Sequence, residues 1–123
     1  MSDSERRKRG EEMFDQVYGG TVPLPSPEQR DEFLQVMLDQ LFAETWSRGT
    51  LSVRDRRLML LGVIAAQGEA ELFGLQTRAA LRRGELDAQQ IQDLLIMLTQ
   101  YVGYPRASKL RPAVRAAIED LGR

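Results

Sequence analysis

The 123-residue chain has no cysteine and no histidine. Without a thiol or an imidazole, dithiol redox work, cysteine nucleophiles, Ser-His-Asp triads and the usual zinc sites are excluded. The sequence also lacks a D-x-D-x-D-G calcium loop, a G-x-x-x-x-G-K-[ST] phosphate loop and a G-x-G-x-x-G dinucleotide fingerprint. A carboxylate-only metal site is still allowed by composition, but no transition metal, haem or other cofactor is expected. No apolar run approaches the roughly 20 residues of a membrane span, and the opening MSDSERRKRGEE has no apolar segment of a signal peptide. Charge is close to balanced, with 17 basic against 18 acidic residues. There is thus no basic field for nucleic acid and no acidic excess for disorder. These absences lead to the expectation of a soluble cytoplasmic protein with no membrane or nucleic-acid partner. The length suggests a single domain over 1–123, able to bury roughly 65–70% of its unfolded surface.

What is present is helical periodicity. Met13, Phe14, Val17 and Tyr18 fit one face of a short helix over Ser4–Tyr18. The basic run Arg6-Arg7-Lys8-Arg9 reads first as its solvated end, with a tail for an acidic partner as the alternative. YGGTVPLPSP breaks the pattern into a loop, so residues 1–26 form an N-terminal helix and a Pro-rich connection. Ser26-Pro27-Glu28-Gln29 has the form of a capping box with proline at the first helical position. It predicts a second helix through Phe33, Leu34, Met37, Leu38, Leu41 and Phe42, ending near Gly49. Ser52 predicts the cap of a third helix, whose body LMLLGVIAA is apolar on every face. A fourth runs from about Ala70 to Arg83 and stops at Gly84. Asp87 with Gln90 opens a fifth. Pro105 begins a sixth, to about Leu121, which Pro112 should kink or split. No stretch alternates with period 2. The fold class is therefore all-α, with about six helices.

The third and fifth helices carry more apolar surface than one small subunit hides. The simplest use for the surplus is a homo-oligomeric interface. Met37, Met59 and Met97 read as core filler.

WSRGTLSVRDRRLMLLGVIAAQG, followed by ALRRGELDAQQIQDLLIMLTQYVGYPRAS, resembles the carboxymuconolactone decarboxylase family, with its alkylhydroperoxidase D-like fold. The resemblance rests on Trp46-Ser47-Arg48, on Arg56 leading the third helix, on Ala80-Leu81-Arg82-Arg83-Gly84, and on Tyr101-Val102-Gly103-Tyr104-Pro105-Arg106-Ala107. It covers about 46–117. It implies an all-helical subunit in a homotrimer or homohexamer and a cofactor-free site between helices. The implied chemistry is decarboxylation of a small carboxylated lactone, with protonation of the carbanion or enolate left behind. The related peroxidase branch needs a Cys-x-x-Cys pair, which this chain lacks. The family's Glu-Leu-x-x-His is also altered. Gln76 stands at the histidine position and Leu72 at the glutamate position, with Glu71 one residue earlier.

The candidate site residues follow from that comparison. Arg56 would hold a substrate carboxylate bidentately; an ion pair with Asp55, Glu69 or Glu71 is the structural alternative. Gln76 can orient a ligand carbonyl but cannot shuttle a proton near neutral pH; a buried structural amide or an exposed polar position is the alternative. Glu71 is a displaced acid or base, or a surface carboxylate. Tyr101 and Tyr104, around the Gly103–Pro105 corner, can donate to a developing oxyanion or pack with wet hydroxyls. Trp46 is a substrate platform or a core anchor. Arg54 and Arg57 read as surface or interface positions. The functional expectation is a decarboxylase-like protein, weak or inactive on carboxymuconolactone itself. The alternative is a non-catalytic helical oligomer that binds a ligand or a protein.

Overall fold

A computed structural model describes residues 1–121, and among these it contains helices and no strand. The chain forms two compact units, Met1–Val53 and Arg54–Arg123.

In the first unit, helix α1 spans Asp3–Tyr18. Ser2 caps it, accepting from the Glu5 N–H, while the Glu5 carboxylate accepts from the Ser2 N–H. The expected box at Ser26 forms as well, with the Ser26 N–H donating to Gln29 Oε1 at 3.0 Å. It opens only a three-residue 3-10 turn, Pro27–Gln29. The second helix restarts at Asp31, whose carboxylate accepts from the Leu34 N–H. Helix α2, Glu32–Val36, then widens into a π-helix, Met37–Trp46. The Ser47 hydroxyl closes it by donating to the Phe42 carbonyl at 2.7 Å, five residues back, in the spacing of π-helical bonding.

Phe14 and Val17 of α1 and Leu38, Phe42, Ala43 and Trp46 of the π-helix are buried. The Phe14 and Phe42 rings meet edge to face at 5.1 Å, and Phe42 stacks on Trp46 at 6.5 Å. The two helices approach so closely that a Cβ on Gly10 would lie 2.1 Å from the Leu38 carbonyl oxygen. The basic run is not a solvated end. Arg7 grips Asp39 through Nε and Nη2, at 2.6 and 2.7 Å. Arg6 reaches Glu44, and Arg9 donates to the Ser47 carbonyl. The run is a row of struts from α1 to the π-helix.

The second unit holds α3 (Val53–Gln67), α4 (Ala70–Arg82), α5 (Ala88–Val102) and α6 (Tyr104–Leu121). The capping box of α5 forms as expected, with Gln90 N–H to Asp87 at 2.8 Å and Asp87 N–H to Gln90 at 2.9 Å. Helix α6 packs on α4 and α5. Gly74 lets α4 close on α6, where an added Cβ would stand 3.0 Å from the Ala113 Cβ. Pro112 does not split α6, which runs through it without interruption. Proline there removes one ladder bond at an exposed position, and the α4 contact holds the helix together. The core gathers Leu61, Ile64, Phe73, Ala80, Ile91, Leu95, Leu110 and Val114.

Helix α3 is not buried on every side. Leu61, Ile64 and Ala65 are inside, while Met59 and Val63 face out. Met97 on α5 is exposed too, so neither Met59 nor Met97 is core filler within the subunit.

Candidate functional site

Phe73, Gln76, Thr77 and Ala80 recur along α4 at three- and four-residue spacing, and all four are buried. Gln76 therefore sits inside an apolar stripe, and its amide needs partners from the protein. The nearest hydroxyl on that stripe, Thr77, is already committed to the Phe73 carbonyl at 2.8 Å.

The partner comes from α3. Arg57, Leu61, Ile64 and Ala65 form the inward face of that helix, so the arginine in phase with them is carried into the core. Arg57 is 0% exposed. Its Nη1 donates to Gln76 Oε1 at 2.6 Å. A buried guanidinium also needs a counter-ion, and Glu85 supplies it from the turn after Gly84, a glycine in the left-handed region at φ 70°. Arg57 Nε and Nη2 meet Glu85 Oε1 and Oε2 at 3.0 and 3.2 Å. Arg83 Nε donates to the same carboxylate from the outer side. The Glu85 side chain is 7% exposed. Arg54 also fixes this turn, donating from Nε to the Glu85 carbonyl at 3.1 Å.

The result is a polar cluster of buried Gln76, Arg57 and Glu85, with the exposed Arg83 on its rim. Its chemical capacity is narrow. The amide does not titrate, guanidinium stays protonated, and the carboxylate accepts from two arginines. The arrangement holds the α3–α4–turn junction together.

Arg57, read from sequence as a surface or interface position, is the centre of this cluster and the partner of Gln76. Arg56, one residue away and about 100° around the helix, is half-buried. Glu71 is exposed on α4. Tyr101 and Tyr104 are 81% and 67% exposed, so within the subunit neither phenol is enclosed. Trp46 is buried in the first unit against Phe42. Of the six expected site residues, only Gln76 enters the buried polar cluster. Glu85 and Arg57 were missed, although the in-phase spacing of 57, 61, 64 and 65 carries a signal for the arginine.

Of the expected site residues, Tyr104 lines an open cleft, the one between α5 and α6. A cleft of about 700 Å³ lies along α2 and the π-helix, between Phe33, Val36 and Leu41. Another of about 470 Å³ lies between α3 and α5, among Arg54, Leu58, Asp93 and Met97. A third of about 200 Å³ lies between α5 and α6. Among the described residues no group of three or more acidic side chains is placed to hold a metal ion, and no helix is long and apolar enough to cross a membrane.

The model of the carboxymuconolactone decarboxylase family matches residues 31–116. The match begins at the Asp31 cap of α2, ahead of the Trp46 from which the sequence motifs are recognisable, and ends within α6. No curated protein matches the chain.

Proposed function

This chain belongs to the carboxymuconolactone decarboxylase family, and we propose that it is a non-catalytic helical oligomer in which the family's acid–base position has become a structural ion-pair cluster. The observation that carries this reading is the contact of Gln76 Oε1 with Arg57 Nη1, backed by the bidentate Arg57–Glu85 pair and closed to solvent. Decarboxylation of the family's type needs a proton delivered to carbon as CO₂ leaves. Positioned acid–base catalysis contributes about 10²–10⁴ in rate. A glutamine whose carbonyl is already engaged cannot supply that proton.

Self-association is supported by exposed apolar side chains, Met59 and Val63 on α3 and Met97 on α5. They lie one turn apart on α3 and beside the α3–α5 cleft on α5. Such a surface is more readily explained by a second copy than by open solvent. A homotrimer or homohexamer in the cytoplasm fits the resemblance noted above.

A second reading is cofactor-free decarboxylation of a small carboxylated lactone or related carbonyl compound, favoured by the length of the family match. It would have to draw its proton from outside the Gln76 cluster. One experiment separates the two: a decarboxylation assay on carboxymuconolactone, with light scattering on the same sample. The proposal expects an oligomer without turnover. Strong turnover by the wild type would replace it with the second reading, and a monomer at micromolar concentration would reject the oligomer.

A further inference from the structure

The cleft between α5 and α6 differs in charge from the others. The α2 cleft includes Glu32, and the α3–α5 cleft sets Arg54 against Asp93. The α5–α6 cleft is lined by Gln92, Leu95, Ile96, Thr99, Tyr104, Ala107, Ser108 and Arg111, with one cation and no carboxylate. Tyr104, Ser108 and Arg111 follow one another at four and three residues, so they form one stripe of α6. Gln92, Ile96 and Thr99 form the facing stripe of α5 by the same spacing.

Four polar side chains of this cleft are uncommitted. Gln92, Tyr104, Ser108 and Arg111 make no hydrogen bond or ion pair within the described residues. By contrast Arg7, Arg30, Arg57, Arg78 and Arg83 are each paired with a carboxylate. The Thr99 hydroxyl is spent on the Leu95 carbonyl at 2.7 Å. Leu95 and Ala107 make a buried apolar floor, and Ile96 forms an exposed apolar wall. The volume of about 200 Å³ equals roughly seven waters at about 30 Å³ each, the scale of a single-ring organic acid.

We propose that this cleft is a binding site for a small arylcarboxylate, its ring on Leu95, Ile96 and Ala107 and its carboxylate on Arg111, with Ser108 and Tyr104 donating to the same oxygens. A guanidinium fork matches a carboxylate in two parallel bonds, and the apolar floor selects an acid with a flat body over a bare anion. The site shares no residue with the Gln76 cluster and does not depend on the proposed function. It also lies on the α6 side of α5, whereas Met97 borders the α3 side.

The test is amide chemical-shift titration of the full chain with benzoate, benzyl alcohol and inorganic phosphate. Variants are Arg111→Gln, Arg111→Lys and Arg115→Gln, the last exposed on the same helix but outside the cleft lining. Benzoate is expected to saturate in the millimolar range, with shifts centred on Gln92 and Ser108. Benzyl alcohol should bind about tenfold more weakly, and Arg111→Gln should weaken benzoate by about the same factor. Arg111→Lys should recover part of that loss, and Arg115→Gln should leave binding unchanged. No saturable shift, equal binding of the alcohol, tighter binding of phosphate, or equal losses in Arg111→Gln and Arg115→Gln would each overturn the site.

Discussion

Arg57 Nη1 lies 2.6 Å from Gln76 Oε1, and this contact joins α3 to α4 inside the second unit. The arginine donates, the amide accepts, and Glu85 balances the charge. Gln76 is thus an interior residue whose amide oxygen is engaged by the protein itself.

The cluster predicts a stability pattern. Glu85→Ala leaves the Arg57 guanidinium buried without its counter-ion, and breaking such a pair costs about 3–5 kcal/mol. Replacing both partners together, Arg57→Met with Glu85→Met, removes the orphaned charge and should recover most of that loss. Urea unfolding of the two variants checks this. A Glu85→Ala protein within about 1 kcal/mol of the wild type would show that the pair contributes little.

A histidine at position 76 is predicted not to confer decarboxylation. In Gln76→His the imidazole would stand against the Arg57 guanidinium. Both burial and the like charge push its pKa down and keep it neutral. Adding Leu72→Glu does not help, because Leu72 is about half exposed on the outer side of α4 and a carboxylate there is drawn to solvent. Decarboxylation assays on both variants should find no turnover above the wild type. A gain in either would show that Arg57 yields the site to a substrate.

The contrast between Arg57 and its neighbours explains what could be read in advance. Arg54, Arg56 and Arg57 look alike in sequence, and helical phase separates them: only Arg57 extends the 61, 64, 65 stripe inward. The α5 start was legible because Asp87 and Gln90 cap each other through local bonds. The π-helix was not. Phe33, Leu34, Met37, Leu38, Leu41 and Phe42 fit ordinary helical spacing, but burial falls on Leu38, Phe42, Ala43 and Trp46 once the turn widens. From its place at the Gly103–Pro105 corner, Tyr101 reads as an oxyanion donor or as a packed phenol with a wet hydroxyl. Ile91, Leu95 and Thr99 define the inward face of α5, and Tyr101 lies about 200° from Thr99 on that helix.

Two glycines should respond in opposite directions to alanine. At Gly10 the new methyl would collide with the Leu38 backbone, which cannot move aside like a side chain. Overpacking of this kind costs about 1–3 kcal/mol. At Gly62, inside α3, the nearest atom to an added Cβ is Leu98 Cδ2 at 3.9 Å, an ordinary contact. Alanine there should stabilise by about 0.5–1 kcal/mol through helix propensity. Thermal unfolding of Gly10→Ala and Gly62→Ala tests both signs, and a stabilising Gly10→Ala would contradict the close approach of α1.

Acidification should weaken the first unit through Asp39. Its carboxyl is held below the ordinary value of 3.8, first by the hydrogen bonds from Arg7 and then by the charges of Arg7 and Arg6, against the opposing effect of burial. Because the folded value is the lower one, the contribution is complete above the ordinary value and is lost as pH falls through the folded one. Removing the charge with Asp39→Asn should therefore cost about 1 kcal/mol at pH 7, the upper range for a partly exposed pair. That gap between wild type and variant should narrow progressively below about pH 4. Trp46 is the chain's one tryptophan and lies buried in this unit, so its fluorescence reports the transition. Urea melts of both proteins at neutral and acidic pH make the comparison. A gap that stays constant as the pH drops would mean that the Arg7–Asp39 contact does not contribute to folding through its charge.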